Sequence, residues 1–104
     1  MKMDIVRKLL LRRRIVKFEP VHDYVQFCLS DGSILNIFNG YRVVGGSDAD
    51  IIGDEVAELI STEGEVCLIM SSGRHICVAI GDADYRGAEA MEYIGPDGAR
   101  VVWS

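Results

Sequence analysis

Apolar and polar residues alternate along "VQFCLSDGSILNI" and again along "VCLIMSSGRHICV", and a Ser-x-Gly cluster interrupts the alternation in both stretches. Period-two alternation on either side of a glycine-containing turn predicts a β-hairpin. The two stretches belong to a longer self-similarity, in which residues 10–38 align without a gap on residues 51–79. Ile15 falls on Val56, Phe18 on Leu59, Phe27 on Leu68, Leu35 on Ile76 and Ile37 on Val78. Identities are few (Val25/Val66, Ser30/Ser71, Gly32/Gly73), so the pattern repeats more faithfully than the letters. Self-similarity of this kind marks a repeated structural unit.

Register follows from which residues must share a face. A two-residue turn would oppose Phe27 to Asn36, so a three-residue loop at Asp31, Gly32 and Ser33 is predicted, opposing Phe27 to Ile37 and Leu29 to Leu35. The matching loop at Ser72, Gly73 and Arg74 opposes Leu68 to Val78 and Met70 to Ile76, with glycine available for a left-handed position. The other face is mixed in the first hairpin (Tyr24, Gln26, Cys28, Asn36, Phe38) and more apolar in the second (Cys67, Ile69, Cys77, Ala79). That contrast predicts a second hairpin buried on both faces and a first buried on one.

Upstream of the first hairpin, β-branched Ile15, Val16 and Val21 together with Pro20 predict a strand. The shared pattern extends this prediction to residues 50–60. There the alternative is a helix carrying Ile52, Val56, Leu59 and Ile60 on one face, capped by Ser47 or Asp48. Short helical turns are predicted ahead of each strand, at "MDIVRKLL" and "SDADII". "EAMEYI" and "ARVVW" flank Gly95, Pro96, Asp97 and Gly98 as a further hairpin. The expectation is a mainly β fold, with α+β as the alternative. Two three-stranded antiparallel meanders and a C-terminal hairpin over residues 88–103 would form a sandwich or partly closed barrel, in a single domain spanning residues 1–104.

Composition narrows the class. A chain of 104 residues with 49% apolar content can bury one core. No run approaches the roughly 18 apolar residues of a membrane span, and the charged start does not read as a secretory leader, so a cytoplasmic location is expected. The three cysteines, Cys28, Cys67 and Cys77, form no CxxC pair and are read as plain buried thiols, without disulfide, metal or other cofactor.

The net charge of −5 conceals an asymmetry. Residues 1–17 hold seven bases (Lys2, Arg7, Lys8, Arg12, Arg13, Arg14, Lys17) against Asp4, a net +6, whereas residues 18–104 hold four arginines against fifteen acids, a net −11. In the repeat alignment Arg13 and Arg14 fall on Asp54 and Glu55, and Lys17 falls on Glu58. The first strands of the two copies are therefore expected to attract each other, within one chain or across a homodimer. The acidic body, and the lack of stacking aromatics among the arginines, argue against a nucleic-acid ligand.

Catalytic signatures are missing: there is no GxGxxG, phosphate loop, HExxH or nucleophile elbow. "VVGGSDAD" reads as a linker, and Asp48, Asp50 and Asp54 do not meet a calcium-loop pattern. His22 and Asp23 read as a turn, since neighbours on a strand would point to opposite faces. His75 and Cys77 share a face but lack further ligands, so a non-enzymatic protein is expected.

The strings "RxIVxF", "VxFxLSDGSxLxIFN" and "YRGAEAMEY…DGxxVVW", carried by Phe27, Leu29, Asp31, Gly32, Leu35, Ile37, Asn39, Gly73, Glu89, Ala90 and residues 101–103, resemble small bacterial proteins that include immunity-type proteins of polymorphic and contact-dependent toxin systems. Ala88 stands where those proteins usually carry proline. The resemblance implies a non-catalytic cytoplasmic protein that binds a toxin domain. An acidic body suits a basic toxin domain as partner. The candidate partner-binding residues are Asp48, Asp50, Asp54, Glu55, Asp82, Asp84, Tyr85 and Arg86, the last two being of types enriched at interfaces. A structural, self-associating protein is the alternative.

Overall fold

A computed structural model describes residues 2–103, with side chains from residue 4 onward. The chain begins with helix α1 (Lys2–Leu10), followed by strands β1 (Ile15–Val21), β2 (Tyr24–Leu29), β3 (Ile34–Ile37) and β4 (Tyr41–Val44). Then come β5 (Val56–Ser61), β6 (Glu65–Met70), β7 (His75–Ala79), a 3-10 turn (Asp82–Asp84), β8 (Met91–Ile94) and β9 (Arg100–Trp103). The fold is mainly β: an antiparallel sheet ordered β1-β2-β3-β8-β9 and another ordered β4-β7-β6-β5. It is a sandwich rather than a barrel, since neither sheet closes on itself.

Both predicted meanders form, and residues 56–61 are strand rather than helix. Pro20 sits in β1, an edge strand, where its missing N–H costs no interior ladder bond. Of the two predicted helical turns, the first lengthens into α1 and buries Val6 and Leu10, one helical turn apart, in the core. The second is a run of hydrogen-bonded turns, with Asp50 N–H donating to Ser47 O (3.0 Å) and Asp54 N–H to Ile51 O (2.9 Å).

Two expectations need correction. Phe27 opposes Leu35 and Leu68 opposes Ile76, so both registers lie two residues from the predicted ones. The loops are three residues long, but they are Ser30, Asp31, Gly32 and Ser71, Ser72, Gly73, closed by Leu29 N–H to Ser33 O (2.9 Å) and Met70 N–H to Arg74 O (2.8 Å). The glycine occupies the last loop position, with φ +88° at Gly32 and +94° at Gly73, because a three-residue loop turns left-handed just before the strand resumes. A two-residue shift preserves the faces, so the predicted core faces inward all the same. The second correction concerns burial: the outer faces of the two hairpins are covered alike, Gln26 and Cys67 both being half-buried and Asn36 and Cys77 both buried.

The core is one continuous cluster. The first sheet contributes Phe27, Leu29, Leu35, Ile37, Met91 and Tyr93, and the second Val56, Leu59, Val66, Leu68, Met70, Ile76 and Val78. Each fully buried side chain of this size stabilises by roughly 1.5–3 kcal/mol relative to exposure.

The repeat is a pseudo-two-fold centred where Arg14 pairs with Glu55 in an isolated antiparallel bridge. Hydrogen bonds around that point come in matched pairs. Ile15 N–H donates to Asp54 O and Val56 N–H to Arg13 O, both at 2.9 Å; Gly53 N–H donates to Ile15 O and Arg12 N–H to Val56 O, both at 2.7 Å. The fourth strands are exchanged. β4 leaves the first meander to pair with β7, placing Tyr41 opposite Val78, and β8 leaves the second to pair with β3, placing Met91 opposite Ile37. The sequence reading missed β4 because it assigned Val43 and Val44 to a linker, which starts instead at Gly45.

The attraction between copies is realised inside one chain. Arg14 pairs with Glu55 (3.5 Å) and Arg7 with Glu58 (3.3 Å), whereas Arg13 pairs with Asp31 of its own copy (3.0 Å) and Asp54 with Arg74. Lys17 pairs with Glu19 rather than Glu58, and the side chain of Lys2 lies outside the described residues. Among the described residues no helix is long and apolar enough to cross a membrane.

Candidate functional site

The strand exchange brings three connections together at one end of the first sheet. They are the β1–β2 turn, the β3–β4 crossover and the longer β7–β8 crossover. Two adjoining hollows of about 220 and 350 Å³ open between them, sharing Asp23, Tyr24 and Arg86 in their walls. The β1–β2 turn is a two-residue loop at His22 and Asp23, closed by the pairing of Val21 with Tyr24. His22 adopts φ +52°, a left-handed position that histidine tolerates better than most side chains. The predicted turn is therefore present, and it places Asp23 on the rim.

Asn39, buried in the β3–β4 crossover, holds the β7–β8 crossover. Its Nδ2 donates to Ala79 O (2.8 Å), its Oδ1 accepts from Arg86 N–H (3.4 Å), and its own N–H donates to Ala90 O (3.1 Å). The Asn39 side chain thus fixes the start and middle of this segment, and its backbone N–H fixes the end. Tyr24 and Phe38 stack beside it with ring centroids 5.2 Å apart. Tyr41 donates its hydroxyl to Asp48 (3.2 Å); burial first, then the Asp48 charge and hydrogen bond, push its pKa up to about 12, so it remains a donor.

The rim is polar and unsatisfied within the chain. Among the described residues Arg86 makes no side-chain hydrogen bond or ion pair, and Asp23 has no charged partner; nor has Asp82, farther along the β7–β8 crossover. Glu89 lines the hollow, and Asp84 accepts from Gly81 N–H (3.1 Å) across the 3-10 turn. The lining offers aromatic surface from Tyr24, Phe38 and Tyr41 and charge from Asp23, Arg86 and Glu89.

The predicted site residues divide. Asp82, Asp84, Tyr85 and Arg86 lie together on the β7–β8 crossover, with Tyr85 packed against the core. The others serve the fold. Asp50 folds back on Ser47, whose backbone amide (2.8 Å) and hydroxyl (3.1 Å) hold its carboxyl below the usual value. Asp54 accepts from Ser72 (2.8 Å) and Arg74 (3.2 Å), and Glu55 is held by Arg14. Sequence reasoning missed Asp23, Tyr24, Phe38, Asn39 and Glu89 as one group, since they are far apart in the chain and meet only through the crossed connections. The available signal was the length of the 80–90 segment, which exceeds that of its counterpart between β3 and β4.

The pseudo-two-fold generates a second hollow on the other sheet, of about 260 Å³, lined by Gly40, Tyr41, Arg42, Glu65, Cys77 and Ala79. Glu65 and Ala79 replace Tyr24 and Phe38. Arg42 grips Glu65 through two hydrogen bonds of 3.1 Å, which raises the guanidinium pKa. Cys67 lies opposite Cys77 on the paired strands. Burial, and then the hydrogen bond and charge of Cys77, push the Cys67 thiol up to about 12, so it is no nucleophile at neutral pH. All three cysteines are free, but only Cys77 is fully buried, which corrects the expectation of three buried thiols.

No protein-family model matches this chain, and neither does any curated protein or solved structure with which it was compared.

Proposed function

We propose that this protein is a non-catalytic binding module for a basic protein partner, and that the end of the sandwich formed by the β1–β2 turn and the β7–β8 crossover is its recognition surface. One observation carries the reading: of the eight acids without an ion pair among the described residues, Asp23, Asp82, Asp84 and Glu89 lie on these two connections, and Asp48, Asp50, Glu63 and Asp97 lie outside them. Asp4, Glu19, Asp31, Asp54, Glu55, Glu58, Glu65 and Glu92 all form ion pairs within the chain, whereas Asp23, Asp82, Asp84 and Glu89 form none among the described residues. Unneutralised acids around an aromatic hollow attract a cationic surface and give it apolar area to bury. Tyr24, Phe38 and Arg86 are the anchors, being side chains of the kind that dominate binding energy.

A toxin domain is the most concrete partner, in keeping with the family resemblance, and neutralisation would then consist of covering the toxin's basic active surface. The test is co-purification with the proteins encoded beside it, together with protection of cells expressing a neighbouring toxin. Stoichiometric complex formation and protection are expected. A purified protein that binds none of these neighbours and protects against none would overturn the reading.

A further inference from the structure

The two halves of the fold carry the same backbone and different chemistry at one place. On the outer face of the first sheet, three strands in a row contribute Gln26, Asn36 and Glu92. Gln26 Nε2 donates to Asn36 Oδ1 (3.0 Å), Asn36 Nδ2 donates to Glu92 Oε1 (3.1 Å), and Arg100 closes the row on Glu92. Polar demand there is met side chain to side chain. The pseudo-equivalent positions on the second sheet hold Cys67, Cys77 and Arg42, with Glu65 taking the place of Tyr24. The ligating atoms of Glu65, Cys67 and Cys77 all lie within 4.8 Å of one another, and the hollow beside them is open.

We infer that Glu65, Cys67 and Cys77 form a binding site for one thiophilic divalent cation of the zinc class on the outer face of the second sheet. The donor set is suited to it: two sulfurs and one carboxylate are ligands that such a cation takes in tetrahedral geometry, leaving a fourth position for water. Metal–sulfur bonds of about 2.3 Å bring ligand atoms to within roughly 3.8 Å of each other, so the side chains close in by about 1 Å at most. That movement needs rotamer adjustment only, because β6 and β7 already hold the cysteines opposite each other. Charge is conserved through the exchange. Two neutral thiols and a Glu65–Arg42 pair sum to zero; binding the dication expels two protons to solvent, and two thiolates, one carboxylate, one guanidinium and one dication again sum to zero. The carboxylate beside the two sulfurs favours a divalent cation of the zinc class over a softer monovalent one. Linear spacing hides the site, since Cys67 and Cys77 are ten residues apart and share no CxxC.

The test is titration of the reduced protein with Cd²⁺ and with Zn²⁺, in the wild type and in three variants. One Cd²⁺ per chain is expected, with thiolate-to-cadmium charge-transfer absorption, displacement by Zn²⁺, and a rise in melting temperature on adding Zn²⁺. C28S should behave as wild type, E65Q should bind at least tenfold more weakly, and C67S/C77S should lose the absorption while keeping the far-ultraviolet circular dichroism of the fold. Should the double variant not fold, C67S alone answers the question by losing part of the absorption and binding at least tenfold more weakly. No charge-transfer band in the wild type, or a band of full strength and unchanged affinity in C67S, would overturn the assignment. So would one ion shared between two chains. None of these readouts involves a protein partner, so failure here leaves the recognition surface around Tyr24, Phe38 and Arg86 to its own test.

Discussion

Backbone conformation at Arg12 and Gly53 gives the clearest view of the duplication at the scale of single residues. Both adopt left-handed φ, +68° and +94°, and both N–H groups donate across the pseudo-two-fold at 2.7 Å. One copy answers the geometric demand with glycine, and the other tolerates an arginine at a conformation that costs an L-residue about 1–2 kcal/mol. Nothing lies near the position a Gly53 Cβ would take, so backbone strain alone opposes a side chain there. Denaturant unfolding should therefore show G53A destabilised by about 1 kcal/mol, with R12G neutral or stabilising.

Asp31 makes a second prediction at this scale. Burial raises its pKa, but the Ser33 hydroxyl and amide and then the Arg13 charge more than offset this, and the carboxyl ends below its usual value. A carboxyl lowered in the folded state binds fewer protons there than in the unfolded chain, so its contribution is complete above the unfolded pKa, near 4, and disappears as pH falls through the lower folded value. D31N should cost roughly 1 kcal/mol at neutral pH, and the gap between wild type and variant should narrow in unfolding measurements below about pH 4. A gap independent of pH would contradict it.

Among elements, the hairpins were legible and the crossovers were not. Alternation in residues 24–37 and 65–79 was enough to place four strands and their buried faces, because the inward set is apolar in both copies. The exact register was lost because two loops of equal length, one residue apart, keep those faces identical; only the requirement that glycine take the last loop position separates them. β4 escaped notice because four residues with two prolonged toward solvent, Arg42 and Val44, carry little pattern. No local signal tells a strand that it will pair with the other repeat. Asn39 is where that exchange is held, and N39A leaves Ala79 O and Arg86 N–H without their side-chain partner. A loss of about 2 kcal/mol is expected, with amide hydrogen exchange accelerating first across residues 80–90. Uniform acceleration over the whole chain would show that Asn39 does not act on the crossover in particular.

The whole molecule joins two copies that cannot be separated without unpairing β4 from β7 and β8 from β3. Exchange on this pattern predicts one cooperative unfolding transition, seen at the same midpoint by Trp103 fluorescence and by circular dichroism; two midpoints would mean that the halves fold independently. Four bases of the first segment, conspicuous in the sequence, pair with acids of the same chain: Arg7, Arg13, Arg14 and Lys17. Asp23 and Glu89, which line the hollow with Tyr24, Phe38 and Arg86, form no ion pair among the described residues. Asp82, Asp84, Tyr85 and Arg86 were legible as a group on one long segment, whereas grouping Asp23 with Glu89 needed the fold, since they are neighbours only in space.

The recognition surface is tested most directly by the salt dependence of association with a basic protein encoded beside it, comparing wild type, the quadruple variant D23N/D82N/D84N/E89Q, and E63Q as a control acid outside the hollow. Electrostatic steering raises association rates and is screened over about 10 Å at 0.1 M salt. The quadruple variant should associate at least tenfold more slowly at low salt, with the difference shrinking as salt rises and E63Q matching wild type. Equal association rates for all three proteins at every salt concentration would contradict the assignment of this surface.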